Sequence, residues 1–170
     1  MSTLTLRPVG DGAESGGWYN SVNWDQVNNW SYLDEAVADD ADYLNSLGGA
    51  GRALFAFADH GVETGIISSV TVYFRVWRES SGRTVKPSIR SGSTTTDGSS
   101  VTASSSATTY NQAWNTNPTT GSAWTWEEID SLQAGLWVSN DAVNWSWLYV
   151  VVTYTEAAAG KPAANVIWIG

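Results

Sequence analysis

The chain contains no cysteine. Disulfide staples, thiolate-bound zinc, iron–sulfur clusters and thiol catalysis are thereby excluded, and packing and hydrogen bonding have to hold the fold. There is a single histidine, His60, in the turn-like segment ADHGVETG. One such ligand does not make a His-based metal site, and no G-x-S-x-G elbow accompanies it to complete a nucleophilic triad. No apolar run approaches the roughly 20 residues of a membrane helix. The opening MSTLTLRPVGDG lacks the basic-then-apolar pattern of a secretion signal. These absences predict a soluble protein made in a cytoplasm, with no membrane partner, no metal and no other cofactor. Charged residues are also scarce, at 15% of the chain.

Aromatic residues are plentiful instead: eleven Trp, seven Tyr and three Phe in 170 residues. That length suits one domain with a sizeable core. Eight basic against seventeen acidic residues give a net charge of −9, which argues against nucleic acid, since phosphate binding needs clustered Lys and Arg. The charge is uneven. Residues 1–63 carry ten of the acids with only Arg7 and Arg52, whereas Arg75, Arg78, Arg83, Lys86 and Arg90 lie close together. This polarity fits either opposite charges meeting across a subunit contact, with Arg75, Arg78 and Arg83 as contact candidates, or solvated strand faces of different sign.

Hydrophobic periodicity is that of strands. Thr3 to Arg7 alternates Leu with Thr or Arg. Residues 10–29 show no period and read as a long loop pegged by Trp18, Tyr19 and Trp24. Trp30 to Glu35 and Tyr43 to Asn45 read as short strands, and ALFAFA (Ala53 to Ala58) as a central one. From Ile66 to Trp77, Val70, Val72, Phe74 and Val76 share one face, while Ser69, Thr71, Tyr73, Arg75 and Trp77 share the other. Pro87 argues for an edge position of the strand Val85 to Arg90. The Ser/Thr/Gly-rich residues 91–109 read as a solvent-facing hairpin around Asp97-Gly98. Thr125 with Glu128 is a capping box, Gly135 is placed to end its helix, and Val143 to Tyr154 is a long β-branched and aromatic strand. The prediction is all-β: a two-sheet antiparallel β-sandwich of jelly-roll type with one short helix at about 126–134. Residues 1–154 form the domain, and 155–170 a linker with an apolar docking segment.

No paired carboxylates of glycosidase type are in view, because the two long strands contain no Asp or Glu and the acids fall at turns, strand ends and the helix start. The cluster Asp34, Glu35, Asp39, Asp40 and Asp42 offers oxygens suited to calcium. It lacks the spacing and turn glycine of an EF-hand loop, and reads as a solvated acidic turn. No catalytic set emerges, and the expectation is a protein that is not an enzyme.

Trp145, Trp147 and Tyr149 occupy alternate positions of the last strand and so are expected on one face. Three covers are open for such a row: a second sheet, a neighbouring subunit or a sugar. In the tail, Val166, Ile167, Trp168 and Ile169 form an apolar peptide that is expected to dock, on its own domain or on a neighbour.

The succession of TLTLRP (Thr3 to Pro8), DDADYLNS (Asp39 to Ser46), TNPTTGSAWTWEEIDSLQAG (Thr116 to Gly135) and WLYVVVTY (Trp147 to Tyr154) resembles a jelly-roll family of tailed-bacteriophage structural proteins. That resemblance implies a capsid auxiliary or decoration protein on the virion surface, partnered by the major capsid protein and by itself as a homotrimer. The alternatives are a carbohydrate-binding sandwich module and a phage tail or fibre subunit.

Overall fold

Twelve strands and one α-helix make up the regular structure of the described residues: β1 (Ser2–Leu6), β2 (Pro8–Ser15), β3 (Tyr19–Asn20), β4 (Leu44–Asn45), β5 (Gly51–Phe57), β6 (Gly65–Arg78), β7 (Thr84–Ser91), β8 (Thr94–Asp97), β9 (Val101–Thr102), β10 (Thr108–Trp114), α1 (Trp126–Asp130), β11 (Gln133–Val138) and β12 (Val143–Glu156). This computed structural model describes residues 1–24, 26–47, 50–80, 82–139 and 142–157, with the backbone alone for Ser15.

The strands form two antiparallel sheets, a β-sandwich of jelly-roll type. The front sheet runs β10-β6-β12-β4-β3 with β1 also on β12, and the back sheet runs β2-β5-β11-β7-β8 with β9 also on β7. The long pair β6 and β12 is the spine of the front sheet. Its register sets Phe74 opposite Leu148, Val72 opposite Val150 and Val70 opposite Val152, all six fully buried against the back sheet. At about 1.5–3 kcal/mol for each buried large aliphatic or aromatic side chain, this stripe alone explains why β6 alternates as it does. Facing it are Ala53, Phe55 and Phe57 of β5, Ala134, Leu136 and Val138 of β11, and Val85 and Ile89 of β7.

Several local expectations are corrected. The helix spans only Trp126–Asp130. Its capping box is present, with Thr125 accepting from the Glu128 N–H and Glu128 reaching back to the Thr125 N–H, but the cap at its other end is Ser131. Gly135 does not end it: this residue lies inside β11, where a Cβ would come within 1.8 Å of the Ala53 carbonyl oxygen. The glycine is there for close approach of two strands. Pro87 does not mark an edge either, since β7 is flanked by β11 on one side and by β8 and β9 on the other. Its carbonyl accepts from Gly98 at 2.7 Å, so its missing N–H faces the gap between β8 and β9, where no ladder bond is lost. The segment 10–29 contains the ends of β2 and β3 rather than loop alone, and Trp30 lies in a 3₁₀ turn (Asn29–Tyr32), not a strand. Strand β12 runs from Val143 to Glu156.

Candidate functional site

Each sheet has an outer face, and the two differ. On the back sheet, β2 slips register against β5 between Asp11 and Ser15, which throws residues 12–14 across the face. The Ala13 N–H donates to Gln133 Oε1 at 2.7 Å, and Leu54 beneath is fully buried although it points away from the core. Beyond it, Arg52 bridges Glu14 at 3.0 Å and Asp97 at 2.7 Å, while Ser88 donates to Asp97 and Thr95 to Glu14. Lys86 lies 5.0 Å from the Trp137 ring centre. This face carries its own polar network.

The front face is open and aromatic. The β6–β12 register sets Tyr73 opposite Tyr149, and the two rings stack with centroids 4.7 Å apart and planes 4° from parallel. Trp147 adjoins Tyr149 at 4.6 Å, tilted by 50°. All three are part-exposed, with Thr71 and Val151 next along the strands, and with exposed Asn111 on one flank and exposed Thr5 on the other. Arg7, in the step from β1 to β2, holds its guanidinium 5.8 Å from the Trp147 ring centre and 5.7 Å from that of Tyr149, a cation–π geometry. Burial pushes the Tyr149 hydroxyl up, with Tyr73 adding and Arg7 opposing.

A β-bulge makes this arrangement. Trp145 pairs with Val76 but Trp147 with Arg75, so Ser146 is the extra residue, and a bulge reverses the in–out alternation on passing it. Trp145 therefore points inward, fully buried, T-shaped on Trp18 at 5.2 Å and against Phe55 at 5.5 Å. The expectation that Trp145, Trp147 and Tyr149 share one face is thus corrected: Trp145 is core, and Tyr73 takes its place in the outer row.

The loop from Asp34 to Tyr43 walls one end of the row. The Trp147 indole N–H donates to the Glu35 carbonyl at 2.7 Å. Arg7 donates to the same carbonyl through Nη1 and to the Ala36 carbonyl through Nη2. Arg75 holds Asp40 with two bonds, at 2.8 and 2.7 Å, and Ser146 donates to Asp40 as well. Tyr43 packs edge-on to Trp77 at 5.3 Å. The Arg75 hydrogen bond keeps the Asp40 carboxyl below its usual range. Glu35 goes the other way: burial, opposed by a hydrogen bond from its own backbone N–H and reinforced by Asp34, Asp42 and Asp39, pushes its carboxyl up to about 7. One oxygen of Glu35 and one of Asp42 are buried without a hydrogen-bond partner, and burial raises Asp42 too.

Arg75, Arg78 and Arg83 are not brought together. Arg75 belongs to this wall, Arg78 donates to the Ala103 carbonyl at 2.6 Å, and Arg83 donates to Ser80 at 3.0 Å. Arg75 of the basic stretch pairs with Asp40 of the acidic one inside one chain. Val166, Ile167, Trp168 and Ile169 lie outside the described residues. His60 packs on Trp126 at 4.9 Å and hydrogen-bonds Asp130 through both its ring and its backbone N–H, far along the sandwich from the aromatic row. Among the described residues no three His, Cys, Asp or Glu side chains are grouped to hold a metal ion, and no helix is long and apolar enough to cross a membrane. Sequence reading missed Arg7, Glu35 and Asp40 as parts of this surface. The pairing of β6 with β12, the two longest strands, was the signal available for Tyr73.

No family model matches the sequence, and no curated protein matches it. Among solved structures, the fold is similar to a carbohydrate-binding module of Cellvibrio mixtus lichenase 5A in complex with cellotriose, at 12% identity over 91% of this chain and 100% of that one, with a TM-score of 0.49. It is similar to a carbohydrate-binding module from Cellvibrio japonicus at 12% identity over 93% of this chain and 98% of that one, TM-score 0.49. A third is the C-terminal module of a laminarinase from Zobellia galactanivorans, at 12% identity over 89% and 100%, TM-score 0.46. The expectations of a bacteriophage capsid protein, a virion location, a major-capsid-protein partner and a homotrimer are corrected by these findings. The reason is physical: a turn, a capping box and an aromatic strand are what any sandwich needs to fold, and they specify architecture without specifying a partner.

Proposed function

We propose that the chain is a non-catalytic carbohydrate-binding module, and that it binds glycan on the outer face of the front sheet. The observation that carries this reading is the part-exposed row of Tyr73, Tyr149 and Trp147 on a rigid two-strand spine. A sugar ring has an apolar C–H face and a polar rim. An aromatic row removes the C–H face from water, while flanking Asn111, Thr71 and Thr5 offer hydrogen bonds to the hydroxyls. Rings anchored on strands lose little conformational freedom on binding, which suits recognition without rearrangement.

The favoured ligand is a neutral oligosaccharide. Arg75 is spent on Asp40, Arg7 is spent on the Glu35 and Ala36 carbonyls, and the wall beside the row carries Asp34, Asp39 and Asp42. An anionic sugar would meet net negative potential there. Three rings in a row over neighbouring strand positions offer an extended chain more apolar contact than they offer a single sugar. A glycan array of neutral and uronic-acid or sulfated oligosaccharides tests the reading. Signal on neutral chains, lost in Tyr149→Ala, is expected; an array without signal, or signal on anionic glycans alone, contradicts it.

A further inference from the structure

The loop that walls the aromatic row holds a carboxyl whose ionisation the surrounding structure resists. We infer that residues 34–42 act as a proton-operated clamp on this face: with Glu35 neutral the loop stays docked and fixes Trp147 and Arg7, and with Glu35 ionised it loosens and releases them.

The contacts make the coupling direct. The main-chain carbonyl of Glu35 accepts from both Trp147 and Arg7, so moving this residue moves two members of the site. Its side chain has a buried oxygen without a partner. The groups around it are Asp34, Asp39 and Asp42 from its own loop, the Arg7 guanidinium from the β1–β2 step, and the Trp147 indole from β12. The nearby Asp40 is already neutralised by Arg75 of β6. Arg7 is the only cation among them, and it donates from Nη1 and Nη2 to main-chain oxygens. A charge on Glu35 would therefore join three like charges in a part-buried place, and its escape is toward solvent, away from Trp147. Burial and those like charges outweigh the hydrogen bond from its own N–H, and the carboxyl is pushed up to about 7. Asp40, bound to Arg75 and Ser146, stays attached throughout and serves as the hinge.

The inference concerns regulation of the surface read above as a glycan site, and it rests on that reading only for its effect on binding. The test needs no ligand. In the ¹⁵N-labelled full chain, the Trp147 indole N–H resonance, assigned by its loss in Trp147→Phe, is followed from pH 5 to pH 9. The expected result is a titration with midpoint near 7 that is flat in Glu35→Gln, whose neutral side chain mimics the protonated acid. Asp42→Asn, which removes one repelling charge, moves the midpoint toward acid. A resonance that does not titrate in the wild type, or one that titrates unchanged in Glu35→Gln, overturns the clamp. If the array has identified a glycan, its affinity falls about tenfold from pH 6 to pH 8 in the wild type and stays level in Glu35→Gln. Loss of array signal with the titration intact would sink the glycan reading and leave the clamp standing.

Discussion

Trp145 and Trp147 are two residues apart in one strand, yet the first is fully buried against Trp18 and Phe55 and the second lies on the outer face beside Tyr149. The bulge at Ser146 separates them, and it is tied down by Asp40, which accepts from both Ser146 and Arg75.

The two tryptophans should therefore differ sharply on truncation. Trp145→Ala removes a large ring from the centre of the core and is expected to cost about 3–5 kcal/mol. Trp147→Ala loses a part-exposed ring and one hydrogen bond, at about 1 kcal/mol. Urea unfolding of both variants measures the difference, and equal losses would show that the bulge is misplaced.

Gly135 gives a second contrast. Gly135→Ala drives a Cβ into the Ala53 carbonyl, so β5 and β11 must part, and a loss of roughly 3 kcal/mol or more is expected. At Gly10, also on the back sheet, a Cβ meets nothing within 4 Å, and Gly10→Ala should lie within about 0.5 kcal/mol of the wild type. Thermal unfolding with circular dichroism separates the two.

Stability should vary with pH in opposite senses at Glu35 and at the two carboxylates Asp40 and Asp130. Glu35 has a folded-state value of about 7 against 4.5 unfolded, so from about 4.5 to about 7 the native chain keeps a proton that the unfolded chain has lost. Stability therefore falls as pH rises through that window and stays lower above it. Glu35→Gln is expected to stabilise at pH 8 by roughly 1 kcal/mol, a figure reduced for solvent screening of a part-exposed carboxyl, and to change nothing at pH 4. Asp40 and Asp130 have lowered values, from the Arg75 hydrogen bond and from the His60 N–H respectively. Their contribution is present above 3.8 and is lost as pH falls below it. Asp40→Asn should cost up to about 1 kcal/mol at pH 7 and progressively less as pH falls below 3.8. Urea midpoints across this range give both signs.

The sandwich was legible in the sequence because its causes are local. The inward set Val70, Val72, Phe74 and Val76 is a period-two pattern, and Thr125 with Glu128 is a cap written in four residues. What escaped depends on contacts between distant residues. The inward turn of Trp145 requires a bulge stabilised by Asp40, more than a hundred residues earlier, and strict alternation places it outward. Gly135 has the spacing of a helix terminator, but its role is set by the Ala53 carbonyl on another strand. Of the site, Trp147 and Tyr149 were visible as strand aromatics. Arg7, Glu35 and Asp40 were not, since nothing in a loop's sequence states which sheet face it will cover. The bacteriophage resemblance failed for a related reason: the motifs that carried it are those of folding, and binding resides in surface positions that such motifs leave free.

The central claim is best tested by isothermal titration calorimetry of the neutral oligosaccharide that gives the strongest array signal, into the wild type, Tyr73→Ala, Tyr149→Ala and Trp147→Ala at pH 6. Lys86→Ala on the back face serves as the control. The predicted result is binding by the wild type and Lys86→Ala, weakened about tenfold or more in each ring variant while all remain folded, about 1.4 kcal/mol per tenfold step. Unchanged affinity in all three ring variants would place the ligand elsewhere and contradict the account.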